Sequence, residues 1–255
     1  MELSITQAAA GHTAQGLPLY LFTLCNRHGM EACIRTLGGA LASLQLPDRH
    51  GRLANVIDGA PADAGIHLLP APGRALHKLA WHAVPLVEDD CVGLRLVSPG
   101  PHAVVATYIL DDVRGLTLNV EAPAAAQATI CLRMALNLAG QGSVLGQLLA
   151  VNASRVVPSG AHGQEVAGTP WDCRSPRPVA DLPGQARYLL DAGGAPAMRL
   201  FDPDSGRQLV LGTDATSLRL GAGDPPRHLW LEPVMAAAGG YLRLAPTALA
   251  PTAPA

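Results

Sequence analysis

A chain of 255 residues, 49 % apolar and 15 % charged, can bury a sizeable core and carries too little charge for a disordered chain. Its formal net charge of −2 implies no basic face, which argues against nucleic acid as a partner. No run approaches the ~20 apolar residues of a membrane span, and the N-terminal stretch lacks the basic and apolar regions of a signal peptide. The five cysteines, odd in number and without C-x-x-C spacing, read as reduced thiols, so a cytoplasmic protein is expected.

The Ala-rich start (7–14) is expected to form about a turn. "LPLYLFTL" (17–24), "EACIRTL" (31–37) and "ALASLQL" (40–46) have strand length and are separated by turn signals. Residues 58–78 show no clear period, and a loop of that length in a compact domain is either functional or disordered. Strand-like segments then resume at 81–87, 91–97, 102–110, 116–122, 128–138 and 145–151. The pair 102–110 and 116–122 flanks "DDVRG" and reads as a hairpin. "ARYLLDA", "AMRLFD", "RQLVLGT", "SLRLGA" and "HLWLEPV" follow; "PVMAAAGG" (233–240) is expected to make another turn. Many short strands at regular spacing predict an all-β sandwich or barrel. The lack of a repeat argues against a propeller or solenoid. A single domain over 1–246 and a flexible Pro-rich tail over 247–255 are expected.

Few ionisable groups sit inside the apolar strands. Glu232 lies in "HLWLEPV", and a carboxylate there is costly to bury unless paired or functional. Period two puts it on one face with Trp230 and His228, which suits a ligand groove and equally an exposed sheet face. His77, in "ALHKLAW" with Trp81, belongs to the residue type that serves as acid or base near neutral pH, although a lone His beside a Trp is more often structural. No histidine pattern marks a metal site, and no nucleophile elbow is present. "DPDSGRQL" (202–209) reads as a turn with Arg207 in solvent.

The order of the turns resembles a known family. Residues 19–59, with "NRHGM", "GG" and "PDRHG", resemble the opening of the aldose 1-epimerases, or galactose mutarotases. "LNLAG" (136–140), "GTPWDCRSP" (168–176), "DPDSGR" (202–207) and "LWLEPV" (229–234) resemble later family motifs in the right order, and the likeness runs from about residue 17 to 244. It implies a galactose mutarotase-like β-supersandwich of twisted antiparallel sheets with an open sugar groove. It implies acid/base ring opening and closure of a sugar, with no cofactor and no metal. Glu232 matches the family's base, and His77 matches the histidine of an L-H-G-G segment whose glycines are replaced by Lys78 and Leu79.

The departures are equally specific. Arg133 stands where the family has a second histidine, and Gln185 where it has a sugar-binding Asp. Arg74 is a remnant of an otherwise missing hairpin. The expected substrate-contacting set is therefore Arg74, Arg133, Gln185, Trp81 and Trp230, around catalytic Glu232 and His77. The expected partner is a small-molecule substrate, a sugar; nucleic acid and membrane are not expected, and the chain is read as a monomer or homodimer. A phosphorylated sugar would require an arginine cluster, for which Arg74, Arg133 and Arg187 are candidates. Three functions stay open: a mutarotase with a reduced site, an epimerase fold turned to another proton-transfer or cyclisation reaction, and a non-catalytic carbohydrate-binding protein.

Overall fold

The computed structural model describes residues 2–57, 64–69, 75–100, 103–113, 115–123, 129–193, 196–235 and 239–246. Five strands open it: β1 (Ser4–His12), β2 (Pro18–Cys25), β3 (Glu31–Arg35), β4 (Leu41–Pro47) and β5 (Leu53–Asn55). They pair antiparallel in sequential order as one sheet. Then come β6 (Gly65–Leu69), β7 (His82–Val87), β8 (Cys91–Val97), β9 (Val105–Asp111), β10 (Gly115–Glu121) and β11 (Thr129–Leu136). After these follow β12 (Leu148–Val151), β13 (Arg155–Pro158), β14 (Gln164–Glu165), β15 (Arg177–Pro178) and β16 (Ala186–Leu189). The last are β17 (Met198–Phe201), β18 (Gln208–Thr213), β19 (Ser217–Ala222), β20 (Leu229–Met235) and β21 (Gly239–Pro246).

A nine-stranded sheet runs β15-β12-β17-β18-β21-β10-β9-β8-β7, and a seven-stranded sheet runs β14-β13-β16-β19-β20-β11-β6. Every described pairing is antiparallel and no sheet closes into a barrel, so the expected all-β sandwich is the fold. Side chains alternate across each strand. Leu94, Tyr108 and Leu118 from the larger sheet join Met134, Tyr188 and Leu218 from the smaller one in a single apolar cluster. The opposite face of the seven-stranded sheet is the one left with polar side chains.

The hairpin predicted around "DDVRG" is β9–β10, with Asp111 opposite Gly115. Two expected turns are strands instead. The Ala-rich start is β1, an edge strand along β2 whose side chains are mostly exposed; backbone pairing to β2 holds it where apolar period cannot announce it. Pro233, Val234 and Met235 extend β20, and Gly239 begins β21, the central neighbour of β10 and β18. The aperiodic segment 58–78 contains β6 and a 3-10 turn at Leu76–Lys78. Arg74 and the tail 247–255 lie outside the described residues. No helix among the described residues is long and apolar enough to cross a membrane.

Arg207 is not a solvated turn residue. It is only 6 % exposed, and its guanidinium donates to three main-chain carbonyls: Leu46 at 3.0 Å, Leu138 at 3.0 Å and Arg52 at 2.8 Å. These acceptors belong to the end of β4, to "LNLAG" and to the "PDRHG" turn, so three resemblance motifs meet at one cation. Asn137 of "LNLAG" is likewise buried, donating to the carbonyls of Arg227 and Gly142 and accepting from the Ala139 N–H.

Replacing Arg207 by Met strands three buried carbonyls. Urea unfolding is expected to show a loss of about 3 kcal/mol, typical of breaking a buried polar network, with Arg207→Lys recovering only part of it. An unchanged midpoint for Arg207→Met would remove the keystone role.

Candidate functional site

The polar face of the seven-stranded sheet is organised in cross-strand rows. Arg187 on β16 pairs with Arg219 on β19, and Arg219 pairs with Glu232 on β20. The β11–β20 register, from Ile130 opposite Met235 to Met134 opposite Leu231, sets Arg133 opposite Glu232 on the other side. Directly opposed residues share a sheet face. One line of side chains thus reads Arg187, Arg219, Glu232, Arg133, ending at Gly65 of β6.

Glu232 is the centre of this row. Its side chain is 1 % exposed, beneath Arg133 at 31 % and Arg219 at 42 %. Arg133 grips one carboxylate oxygen, Oε2, with both Nε and Nη2 at 2.8 Å. This geometry needs a planar guanidinium and is unavailable to lysine or histidine. Arg219 Nη1 reaches the other oxygen, Oε1, at 3.2 Å through a single bond. Cys131, two residues before Arg133 on the same face, adjoins the carboxylate. Burial, and then the Glu232 charge, push its thiol up to about 12, so it is an inert wall at neutral pH. The buried carboxylate is compensated by two charges that reach solvent.

The histidine side of the face is fixed by glycine. Gly38, in the "GG" turn, has φ +72°, and a Cβ there would fall 2.7 Å from the His77 Cα. Only a bare backbone lets the two segments touch. Gly38 N–H donates to the Leu79 carbonyl at 2.9 Å, and its own carbonyl accepts from Ile66 N–H at 3.1 Å. The turn therefore joins the His77 segment to β6. There the His77 ring stacks on His67, centroids 4.3 Å apart and planes 22° from parallel. His67 pairs with Cys131 across β6 and β11, so the stacked histidines stand over the same face as Glu232.

The remaining expected residues separate. Trp230 lies on the Glu232 face, and an added Cβ at Gly221 would be 3.2 Å from its Nε1 and 2.9 Å from the Gln185 Cγ; Trp230 and Gln185 thus close over Gly221 in the row next to the arginines. Trp81 is 3 % exposed and its indole N–H donates to the Leu76 carbonyl at 3.1 Å. This corrects the expectation of a ligand contact: the ring is a core prop beneath the His77 turn. Arg219, Cys131 and His67 were missed from the sequence. Arg219 left a signal, a lone cation in the apolar strand "SLRLGA" just before the glutamate strand. His67 left none, because β6 falls in the aperiodic segment.

A cavity of about 550 Å³ lies elsewhere, on the outer side of the nine-stranded sheet between Asp191, Asp214, Tyr241 and Arg243. It shares no residue with the arginine row.

The chain superposes on galactose 1-epimerase from Lactobacillus acidophilus NCFM with a TM-score of 0.77, covering 96 % of this chain and 99 % of that one at 16 % identity. The chain has an aldose 1-epimerase-like fold. A GalM/aldose epimerase homologue from C. elegans gives 0.73, covering 94 % and 99 % at 16 % identity. A TPR-domain containing protein from Parabacteroides distasonis ATCC 8503 gives 0.65 at 13 % identity, covering 98 % of this chain and 54 % of its own. No family model matches the chain, and none of the curated proteins matches it in sequence. The likeness is one of fold at low sequence identity, and Arg133 bound to Glu232 is a feature of this chain's own side chains.

A double-mutant cycle checks the clamp. Arg133→Met leaves a buried carboxylate with one partner and is expected to cost about 2 kcal/mol, the usual penalty for a broken buried pair reduced for the exposure of the guanidinium. Glu232→Gln is expected to cost about half as much. The double variant should be less destabilised than the sum of the two, and strict additivity in urea unfolding would mean that the pair is not coupled.

Proposed function

We propose that the chain interconverts the anomers of a sugar bound over the arginine face, with Glu232 as the base. The observation that carries this reading is the asymmetry of the Glu232 carboxylate. Of the guanidinium contacts, Oε2 takes two short bonds from Arg133, whereas Oε1 takes one longer bond from the half-exposed Arg219; the Cys131 thiol also hydrogen-bonds the carboxylate. Oε1 is the oxygen from which a partner can swing away, so an anomeric hydroxyl can take that place and pass its proton to the carboxylate. A base must come within ~2.6–3.2 Å of that hydroxyl.

Protonation of the ring oxygen completes ring opening. His77, on the same face, is the group of suitable type; Arg133 cannot serve, because a guanidinium keeps its proton at neutral pH. The C–O ring bond breaks, the aldehyde rotates, and on closure the ring hydroxyl gives its proton back to His77 while Glu232 returns its proton to the aldehyde oxygen, which becomes the new anomeric hydroxyl. Protons balance over the cycle and no cofactor enters. Arg133 keeps Oε2 fixed and leaves Oε1 as the oxygen that can meet the anomeric hydroxyl.

A second reading is non-catalytic sugar binding. It is favoured by the same clamp, since guanidinium N–H groups already occupy both oxygens in the free protein.

Polarimetry of freshly dissolved α-glucose and α-galactose separates the two. Wild-type protein is expected to speed equilibration, and Glu232→Gln to lower the rate at least tenfold, with His77→Asn lowering it less. Full activity in Glu232→Gln would sink the role of the base. Sugar binding by both proteins with no acceleration by either would establish the second reading.

A further inference from the structure

We propose that Arg187 and Arg219 hold an anionic substituent of the ligand, a carboxylate or a phosphate, so that the site takes an acidic sugar in preference to a neutral one. The inference rests on the preceding reading only in placing the ligand over this face.

The row Arg187, Arg219, Glu232, Arg133 carries three positive charges and one negative, leaving two positive charges uncompensated within it. Arg187 and Arg219 are directly opposed on neighbouring strands, where like charges destabilise a sheet. Glu232 answers Arg219 and Arg133 on its own side, and no carboxylate among the described residues answers Arg187, which is exposed. A protein that buries one glutamate to settle two arginines, yet sets a third beside them at strand spacing, has left a place for an anion from outside.

The geometry suits that guest. Arg219 uses one terminal nitrogen on Glu232, and its remaining N–H groups are available, since its side chain is 42 % exposed. Two opposed guanidiniums offer paired N–H donors that match the oxygens of a planar carboxylate or a phosphate. One row away, Gln185 and Trp230 cover Gly221. The Trp230 ring gives an apolar wall for a sugar ring, and the Gln185 amide gives a polar edge at the Arg187 end. An anion on Arg187 and Arg219 therefore places the attached ring between Trp230 and Glu232. The charges that bind the anion also raise the local concentration of acidic ligands at the face.

Isothermal titration at low and moderate salt tests this with glucose, glucuronate, glucose 6-phosphate and inorganic phosphate, on wild type and Arg187→Met. Arg187 is exposed, so the variant is expected to fold normally, which its melting curve verifies. At least one of the two acidic sugars should bind wild type about tenfold tighter than glucose, with salt weakening the advantage, and the one preferred identifies carboxylate or phosphate as the group held. Inorganic phosphate should bind more weakly than the preferred sugar. Arg187→Met should erase most of the preference and change glucose binding less than twofold. Equal binding of glucose and both acidic sugars, or a preference that survives in Arg187→Met, would overturn the inference. Acidic sugars that bind with this pattern without changing anomer would uphold the anion site and defeat the catalytic reading; neutral sugars that equilibrate with no acidic preference would do the reverse.

Discussion

A carboxylate in the middle of a sheet must find opposite charge or stay out of the fold, and Glu232 sets that requirement for everything around it. Its partners come from the strands on either side, Arg133 on β11 and Arg219 on β19, so the ion triad spans three neighbouring strands inside the seven-stranded sheet. A slip of one residue in either pairing would turn an arginine toward the apolar core and leave the glutamate bare. The charges thus favour one strand register, and the triad replaces the rotational freedom of a lone carboxylate with a held geometry.

The family motifs divide into two kinds once their contacts are known. "LNLAG", "PDRHG" and "DPDSGR" are architectural: their conspicuous polar residues end on main-chain carbonyls and N–H groups, through Arg207 and Asn137. The "GG" turn is architectural too, yet it acts on the site by letting the His77 segment lie against β6. Among these motifs the glutamate strand is the one that brings a buried carboxylate to the polar face of the seven-stranded sheet. This division is consistent with an epimerase-like fold at 16 % identity.

Strand content was legible because the sheets bury one face and alternate cleanly, as in β3 and β9. β1 was not, since almost all its side chains are exposed and alanine gives no contrast. Period two correctly put Trp230 and His228 with Glu232, because Gly223 and Gly221 lie beside those two rings on β19 and its extension. The sequence also singled out Arg133 as an exchanged residue, but what it grips depends on which strands are neighbours, and β11 and β20 are about a hundred positions apart. Trp81 carried the opposite lesson: an aromatic next to a candidate histidine was equally compatible with a floor and with a wall, and one hydrogen bond to Leu76 makes it the floor.

The Arg207 contacts bear on how the chain reaches this state. Its three acceptors are 161, 69 and 155 residues away in sequence, so the guanidinium can be satisfied only after the N-terminal sheet, the middle of the chain and β18 have met. Closing loops of that size costs entropy before any contact repays it, and folds dominated by distant pairings assemble slowly. Until then a cation and three carbonyls wait in water, and their burial is conditional on correct assembly. Arg207 is therefore a check on completion: a chain mispaired at its first sheet has nowhere to put that charge, and stays open to unfolding until it has.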